Sequence, residues 1–552
     1  MMSLDPEFLL RRQNELEGQR ANFDTHWQEV QDFVLPQSLG FITQTTPGQK
    51  KMERVFDSTP ITANEHFAAA MQSMLTPATE RWHKIVPIDQ ELEDDYEVTA
   101  WCDEVTNVVF RSRYAPRAQF GQAIGEGFLA FGAFGNAVVL IEDRRGEHLV
   151  YRAGHPKEYY FVENEWGVVD TMHRKFRMSA ANLAAQFGVD VLPEGIRVDA
   201  TRKPDQLYDV LHVVTPRDRG GYGPREAPGM AFASCYVAIA GKKELRRSGY
   251  RSFPYAIGRY QTTAGEVYGR GPGMTALPDI KTLNEMMKTI LRAGQKVVDP
   301  PVLLQDGGAL GAFQLRTGAL NRGYVNADGK PLAHPFVSGA RLDIGLEMVQ
   351  DVRRRIDAVF KVDLFRILVD KPTNMTATEA LIRAQEKGAL LAPTGQRTQG
   401  EFLGGMVARE LDILRTAGQL PSMPDALMQR GGASAIKVEF SAPINQAQKA
   451  QKGVAINTFL SALETYAAID PSVMDNVDAD EVVREMRDVA GAPQKIIRPP
   501  KDVEALRAKK QEQADMANAI AAAEQTGAAA KDWATAQATA RAQPPNLGAG
   551  LQ

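Results

Sequence analysis

Four cations recur along one short stretch, Lys281, Lys288, Arg292 and Lys296, at offsets of seven, eleven and fifteen from the first. Wound as an α-helix at about 100° per residue, these offsets gather all four within a sector of about 80°. A second group, Arg353-Arg354-Arg355, sits in another helical pattern downstream. Fixed positive charges in a row suit phosphate, because each one that neutralises a phosphate releases a condensed counterion. The same rows also suit an ordinary helical hairpin in a soluble core, with its Lys and Arg simply solvated. The two helices alone leave both readings open.

Covalent and metal chemistry find no such foothold. The chain has no H-E-x-x-H, no paired C-x-x-C, no G-x-S-x-G and no G-x-x-x-x-G-K-[ST]. The nearest phosphate-loop spacing, Gly323 to Gly329-Lys330, has one residue too many and runs into Pro331. The eight histidines are scattered, with no pair four apart to chelate from one helix face. Asp475-Asn476-Val477-Asp478-Ala479-Asp480 lacks the glycine and terminal glutamate of a calcium loop and is expected to cap the following helix. Glu91, Glu93, Asp94 and Asp95 read as an acid-rich first turn facing the positive end of a helix dipole. Gly121, Gly125, Gly127, Gly132 and Gly135 lack the order of a nucleotide loop and point to close helix packing. No catalytic residue, metal ligand or cofactor is expected, so the chain does not read as an enzyme.

The elements that must position the cations follow from periodicity. Ile280, Leu283, Met287, Ile290 and Leu291 recur at three and four, giving an amphipathic helix that Asp299-Pro300-Pro301 ends. Leu346, Val349, Val352, Ile356, Val359 and Phe360 give a second. Between them, Asp306-Gly307-Gly308 and Asp328-Gly329 signal turns, with Phe313, Leu315, Tyr324 and Val325 expected to pair as short strands. Upstream, a helix is expected over 5–35, stopped by Pro36, then a loop to Pro60 and a helix to Leu75. Ala137–Ile141, Glu158–Val162, Val168–Arg174, Tyr208–Val214 and Tyr236–Ala240 read as strands. Downstream, Thr376 and Glu379 form a capping box before a long helical pattern that runs to Arg415, with a kink expected near Pro393-Thr394-Gly395. Residues 446–497 again read as helical, and the Ala-rich 501–552 favours helix but offers little to bury.

The order of several short segments resembles the head-to-tail connector, or portal, proteins of short-tailed bacteriophages. These are Met74-Leu75-Thr76-Pro77-Ala78-Thr79-Glu80-Arg81-Trp82-His83-Lys84, then Tyr250 to Tyr255, then Gly265-Glu266-Val267-Tyr268-Gly269-Arg270-Gly271, then Leu283-Asn284-Glu285, then Thr376 to Ala380. The resemblance spans about Leu10 to about Ile497. It implies a predominantly helical α+β fold: a mixed α/β wing over 1–274, stem helices over 275–298 and 341–365, and a β-containing clip over 299–340. It further implies a channel loop over 366–376, a kinked long helix returning to the wing over 377–445, and a helical crown over 446–552.

By the same resemblance, copies form a ring, a dodecamer, at one capsid vertex of the virion, assembled in the host cytoplasm. Double-stranded DNA passes through it, the terminase packaging motor and later tail adaptor proteins dock on it, and major capsid and scaffolding proteins surround it. ATP hydrolysis then belongs to a partner. Residues expected near DNA are Lys281, Lys288, Arg292, Lys296, Arg353 and Arg354 of the stem, and Arg366, Lys371 and Asn374 of the loop. The stem stripe attracts phosphate if it faces inward and contacts capsid protein if it faces outward. The loop residues also suit a plain helix-joining turn. A non-portal virion protein, such as a tail adaptor or internal protein, is the alternative.

Totals bound these readings. A chain of 552 residues is too long for one core. A net charge of −4 disfavours a tight duplex binder but not a conduit, which must let DNA slide. The N-terminus does not read as a secretory signal, and the longest apolar run, Phe128 to Ile141, is too short for a membrane span. Two cysteines provide no disulfide scaffold.

Overall fold

The computed structural model describes all residues except 1–4, 44–45, 47, 94, 145–147, 218–229, 305–312, 315, 337–341, 364–393, 441–442, 468–469, 491–495 and 542–552. The architecture is α+β and predominantly helical. Two compact units are built from interleaved segments, the larger from Met1–Ile85, Glu104–Ser422 and Val438–Lys452, the smaller from Val86–Asp103, Met423–Lys437 and Gly453–Gln552.

In chain order the first elements are helices α1 (Pro6–Val34) and α2 (Thr59–Leu75), strand β1 (His83–Pro87), and helices α3 (Tyr96–Arg113) and α4 (Phe120–Phe134). Strands β2 (Asn136–Asp143), β3 (Leu149–Gly154), β4 (Tyr159–Glu163) and β5 (Val169–Ser179) follow, then helices α5 (Ala180–Phe187) and α6 (Glu194–Arg202). Next come β6 (Leu207–Pro216), β7 (Phe232–Ala238), β8 (Lys243–Tyr250) and β9 (Tyr255–Arg259). Within the larger unit β4 to β8 form an antiparallel meander, and β2 is flanked by β3 and β9.

The meander is buried on both faces, which is why Val210 to Val214 read as a nearly unbroken apolar run. Leu211, Val213, Cys235 and Val237 meet Leu9 of α1, while Val210 and Ala238 meet Leu183 and Ile196 of α5 and α6. His212, on the same face as Val210, stacks on Tyr236 at 3.9 Å between ring centres and is bonded to Ser234 and Tyr255.

The glycines of α4 allow a neighbouring helix to approach. A Cβ at Gly132 would strike the Asn64 side chain and lie 2.8 Å from the Phe67 ring, both on α2. Gly135 ends α4 in the left-handed conformation, φ +76°, against the backbone of Gly271. A fully buried ion pair joins Arg113, at the end of α3, to Glu410 on the helix Gly404–Thr416, with Tyr151 and His83 bonded to the pair.

In the smaller unit Asp95 and Asp478 cap the helices that follow them, as their positions imply. Arg430 is ion-paired with Asp89 and Glu91. Helix Ala479–Ala490 lies close to Gly453, where a Cβ would meet Val489 at 2.7 Å. Helix Pro500–Arg541 has 42 residues, and its large apolar side chains Leu506, Met516 and Trp533 are exposed.

Candidate functional site

The basic stripe lies on α7 (Pro272–Val298) and the arginine cluster on α8 (Leu342–Val359). Pro272 starts α7 with a residue that has no N–H to leave unsatisfied. Its cap differs at the other end of the hairpin. Helix α8 stops at Val359, short of residue 365, because Lys361 adopts the left-handed conformation at φ +58°. Ile280 and Leu283 of α7 and Val349, Val352, Ile356 and Phe360 near α8 are buried, and the two helices touch where Gly345 approaches Ile290. A Cβ at Gly345 would come within 3.3 Å of the Ile290 side chain.

A loop ahead of α2 holds the hairpin. Asn284 accepts from Phe56 N at 2.7 Å and donates to Arg54 O at 3.0 Å. Arg353 donates from Nη2 to Asp57 Oδ2 at 2.7 Å and from Nε at 3.0 Å. Asp57 also accepts from Thr59 N at the start of α2. Burial alone would raise the Asp57 carboxyl, but the bonds from Thr59 and the guanidinium of Arg353 outweigh it and hold it below its ordinary value.

The structure therefore separates the predicted cations. Lys281 pairs with Glu29 of α1 at 2.7 Å, and Lys288 with Glu285 at 3.0 Å. Arg353 is engaged by Asp57, Arg354 lies 3.5 Å from Asp351, and Arg355 lies 3.4 Å from Asp279. Arg292 and Lys296 are exposed and make no ion pair with a described residue. Arg366, Lys371 and Asn374 lie outside the described residues, as do Thr376, Glu379 and Pro393. Past that stretch the chain resumes as helix and takes a π-helical turn over Thr398–Leu403. At the end of α7 an open groove of about 880 Å³ is lined by Leu291, Arg292, Lys296, Val298 and Leu346 among others.

Asp57, Asn284 and Glu29 had no assigned role in the sequence. The only local signal was Asp57-Ser58-Thr59-Pro60, an Asx-type turn opening a helix with proline in its first turn.

The insert between the helices pairs differently from expectation. The strands are β10 (Val302–Leu304) and β11 (Ala333–Pro335), antiparallel, rather than runs through Phe313, Tyr324 and Val325. Phe313 and Tyr324 meet through their rings at 4.8 Å, Val325 makes a single bridge to Pro331, and Leu315 lies outside the described residues. The turn at Asp328-Gly329 is present, with Asn326 accepting from Asp328 N and Lys330 N and Gly329 at φ +78°. Among the described residues no group of three metal-ligating side chains occurs, and no helix is long and apolar enough to cross a membrane.

Comparison with known proteins identifies a family for the chain. The family model described as "Bacteriophage head to tail connecting protein" matches residues 7–497. The chain is 27% identical over 522 residues to a probable portal protein of Bordetella phage BPP-1, covering 93% of each chain. It is 25% identical over 555 residues to the portal protein of Salmonella phage epsilon15, covering 97% of each. Among solved structures, a chain from the virion of a native gene transfer agent particle aligns with TM-score 0.36 and 10% identity, over 81% of this chain and 95% of that one. At that score the likeness carries no weight.

Proposed function

The chain belongs to the bacteriophage head to tail connecting protein family, and we propose from that premise that it is the portal of a short-tailed phage virion, closing as a ring of twelve copies at one capsid vertex. The family match over residues 7–497 carries this reading. A tail adaptor or internal virion protein is not favoured by a match of that extent.

In this reading the α7–α8 hairpin is the stem, the insert 299–340 the clip, 366–376 the channel loop, and 446–552 the crown, with the α/β region 1–274 as wing. Twelve helices about 10 Å apart close a circle about 38 Å across and leave about 28 Å clear, enough for a duplex with water around it. Double-stranded DNA moves through that opening during packaging and ejection. The packaging motor and then the tail adaptors dock at the clip, while capsid and scaffolding proteins meet the wing.

Arg353 is committed to the buried Asp57 inside the protomer and is not free to grip DNA, whereas Lys281 meets Glu29 only in a solvent-exposed pair. Braking contacts fall to Arg366, Lys371 and Asn374 in the loop and to Arg354 and Lys281, whose ion pairs are open to solvent. Few such contacts suit a conduit, because affinity for DNA climbs steeply with each phosphate neutralised.

The test is end-on imaging of the purified chain by negative stain. Rings with an open axial hole support the portal reading. A persistent monomer, or an axis filled by protein, refutes it.

A further inference from the structure

A cleft of about 640 Å³ opens where four parts of the larger unit meet: the chain after β9, the start of α7, the end of α8, and the helical turn ahead of Thr398–Leu403. Its lining includes Tyr260, Thr262, Pro272, Val359, Lys361 and Arg397. Clefts that hold small molecules enclose about 300–1,000 Å³ and combine apolar walls with a few convergent polar groups. Here Tyr260, Pro272 and Val359 supply the apolar side, and Thr262, Lys361 and Arg397 the polar one.

Lys361 is unfavourable at its position in two ways. Its backbone is left-handed at φ +58°, in the place past a helix end that ordinarily falls to Gly or Asn because a Cβ is strained there. Its ammonium is half-buried, and burial pushes it below its ordinary value. The carbonyl end of α8 attracts a cation, yet burial still prevails, and no described residue forms an ion pair with Lys361. Nearby, Arg259 and Arg397 are matched by Glu163 and Glu401, so the Lys361 charge is the surplus among these groups. Arg397 gives only Nε to Glu401, at 3.2 Å, and neither Nη group donates to a described residue. A strained, desolvated cation destabilises the fold by itself, and an anion in the cleft offsets that.

We propose that this cleft binds a small phosphate monoester of the nucleoside monophosphate class, with the phosphate between Lys361 and Arg397 and the aromatic base against Tyr260. A phosphate dianion offers three strong acceptor oxygens. These suit an ammonium, a guanidinium with both Nη groups available, and the Thr262 hydroxyl, and such charge-assisted bonds are stronger than neutral ones. The base adds buried area and stacking on Tyr260, and the cleft has room for it beyond a bare phosphate ion. Bound there, the ligand ties the end of α8 to the start of α7 and to the turn at Thr398–Leu403. Duplex DNA presents phosphate too, but as singly charged diesters whose bases stay stacked inside the helix and do not reach Tyr260. The site lies within one copy, so it goes beyond the portal reading and does not depend on ring closure.

Titration calorimetry and thermal unfolding of the full chain test it, with dAMP, deoxyadenosine, inorganic phosphate and a short DNA duplex at one ionic strength. Binding of dAMP is expected, with a raised unfolding midpoint. Inorganic phosphate should bind about tenfold more weakly or less, and deoxyadenosine not measurably. Lys361→Asn removes the ammonium and keeps a backbone conformation that Asn accepts, so the ligand-free chain should unfold at the same temperature or higher. Its affinity for dAMP should fall by about tenfold or more. Thr262→Val should weaken dAMP by a smaller factor. A wild-type chain that dAMP neither binds nor stabilises overturns the proposal, as does equal dAMP affinity in Lys361→Asn. A ligand-free Lys361→Asn that is clearly less stable than wild type would assign the lysine to the fold. Duplex binding that is lost in Lys361→Asn while dAMP stays silent would assign the cleft to DNA. Ring formation is read separately by end-on imaging, and none of these outcomes alters it.

Discussion

Removing one charge at Asp57 should loosen the α7–α8 hairpin without unfolding the body. Asp57→Asn keeps the shape of the side chain and the bond from Thr59 N, but withdraws the anion that Arg353 faces. The Asp57 side chain is 3% exposed and the Arg353 side chain 41%. A hydrogen bond to a charged group contributes about 1.5–3 kcal/mol. Solvent around the half-exposed guanidinium reduces that to about 1–2 kcal/mol, or about 5–30-fold in a local opening equilibrium. Amide hydrogen exchange reads this directly, with the β5–β6 strands as an internal reference. Exchange over Leu342–Val359 should accelerate by that factor while the strands keep their protection. Arg353→Met should do the same, and the double variant should add little, because both remove one interaction. The Asp57 carboxyl is held below its ordinary value, so the tether is complete at neutral pH and is lost only as pH falls through that lowered value. A change of less than about twofold over α8, or equal acceleration in the sheet, would refute the reasoning.

The Arg113–Glu410 pair is fully buried, so Glu410→Gln strands a guanidinium without its counter-charge and should lower stability by about 3–5 kcal/mol in denaturant titration. Arg113→Met with Glu410→Leu should recover most of that loss, and a single variant as stable as wild type would contradict the assignment. His155, His173 and His212 are each held down to about 3, mainly by burial and then by nearby cations. Their folded values lie below the unfolded one, so the unfolded chain takes up the protons first. Stability is then full above about pH 6.5 and falls by up to about 4 kcal/mol per pH unit for the three together as pH drops toward their folded values. Unfolding midpoints at pH 7.5 and 5.5 check this before most carboxylates titrate, and equal midpoints would contradict it.

Much of the local structure was legible in the chain. The three-and-four spacing of Ile280, Leu283 and Met287 specified α7, Asp299-Pro300 its end, and the glycines of α4 a close helix neighbour. Strands with outward charges were harder to see. β8, Lys-Glu-Leu-Arg-Arg-Ser-Gly-Tyr, has one buried apolar residue, Leu245, and is a strand because β7 offers it backbone partners. β3 is harder to see for a related reason, since it completes its hydrogen bonding on β2.

The family was readable from the order of short segments, and periodicity placed Lys281, Arg292 and Arg353 on their helix faces. Only the tertiary structure decided what those charges meet. Arg353 finds Asp57 at a separation of 296 residues, and Arg113 finds Glu410 at 297. A helix repeat is a local property, set by sterics within a turn and therefore written in neighbouring residues. Neutralisation of a charge depends on distance through space, which only the packed chain defines.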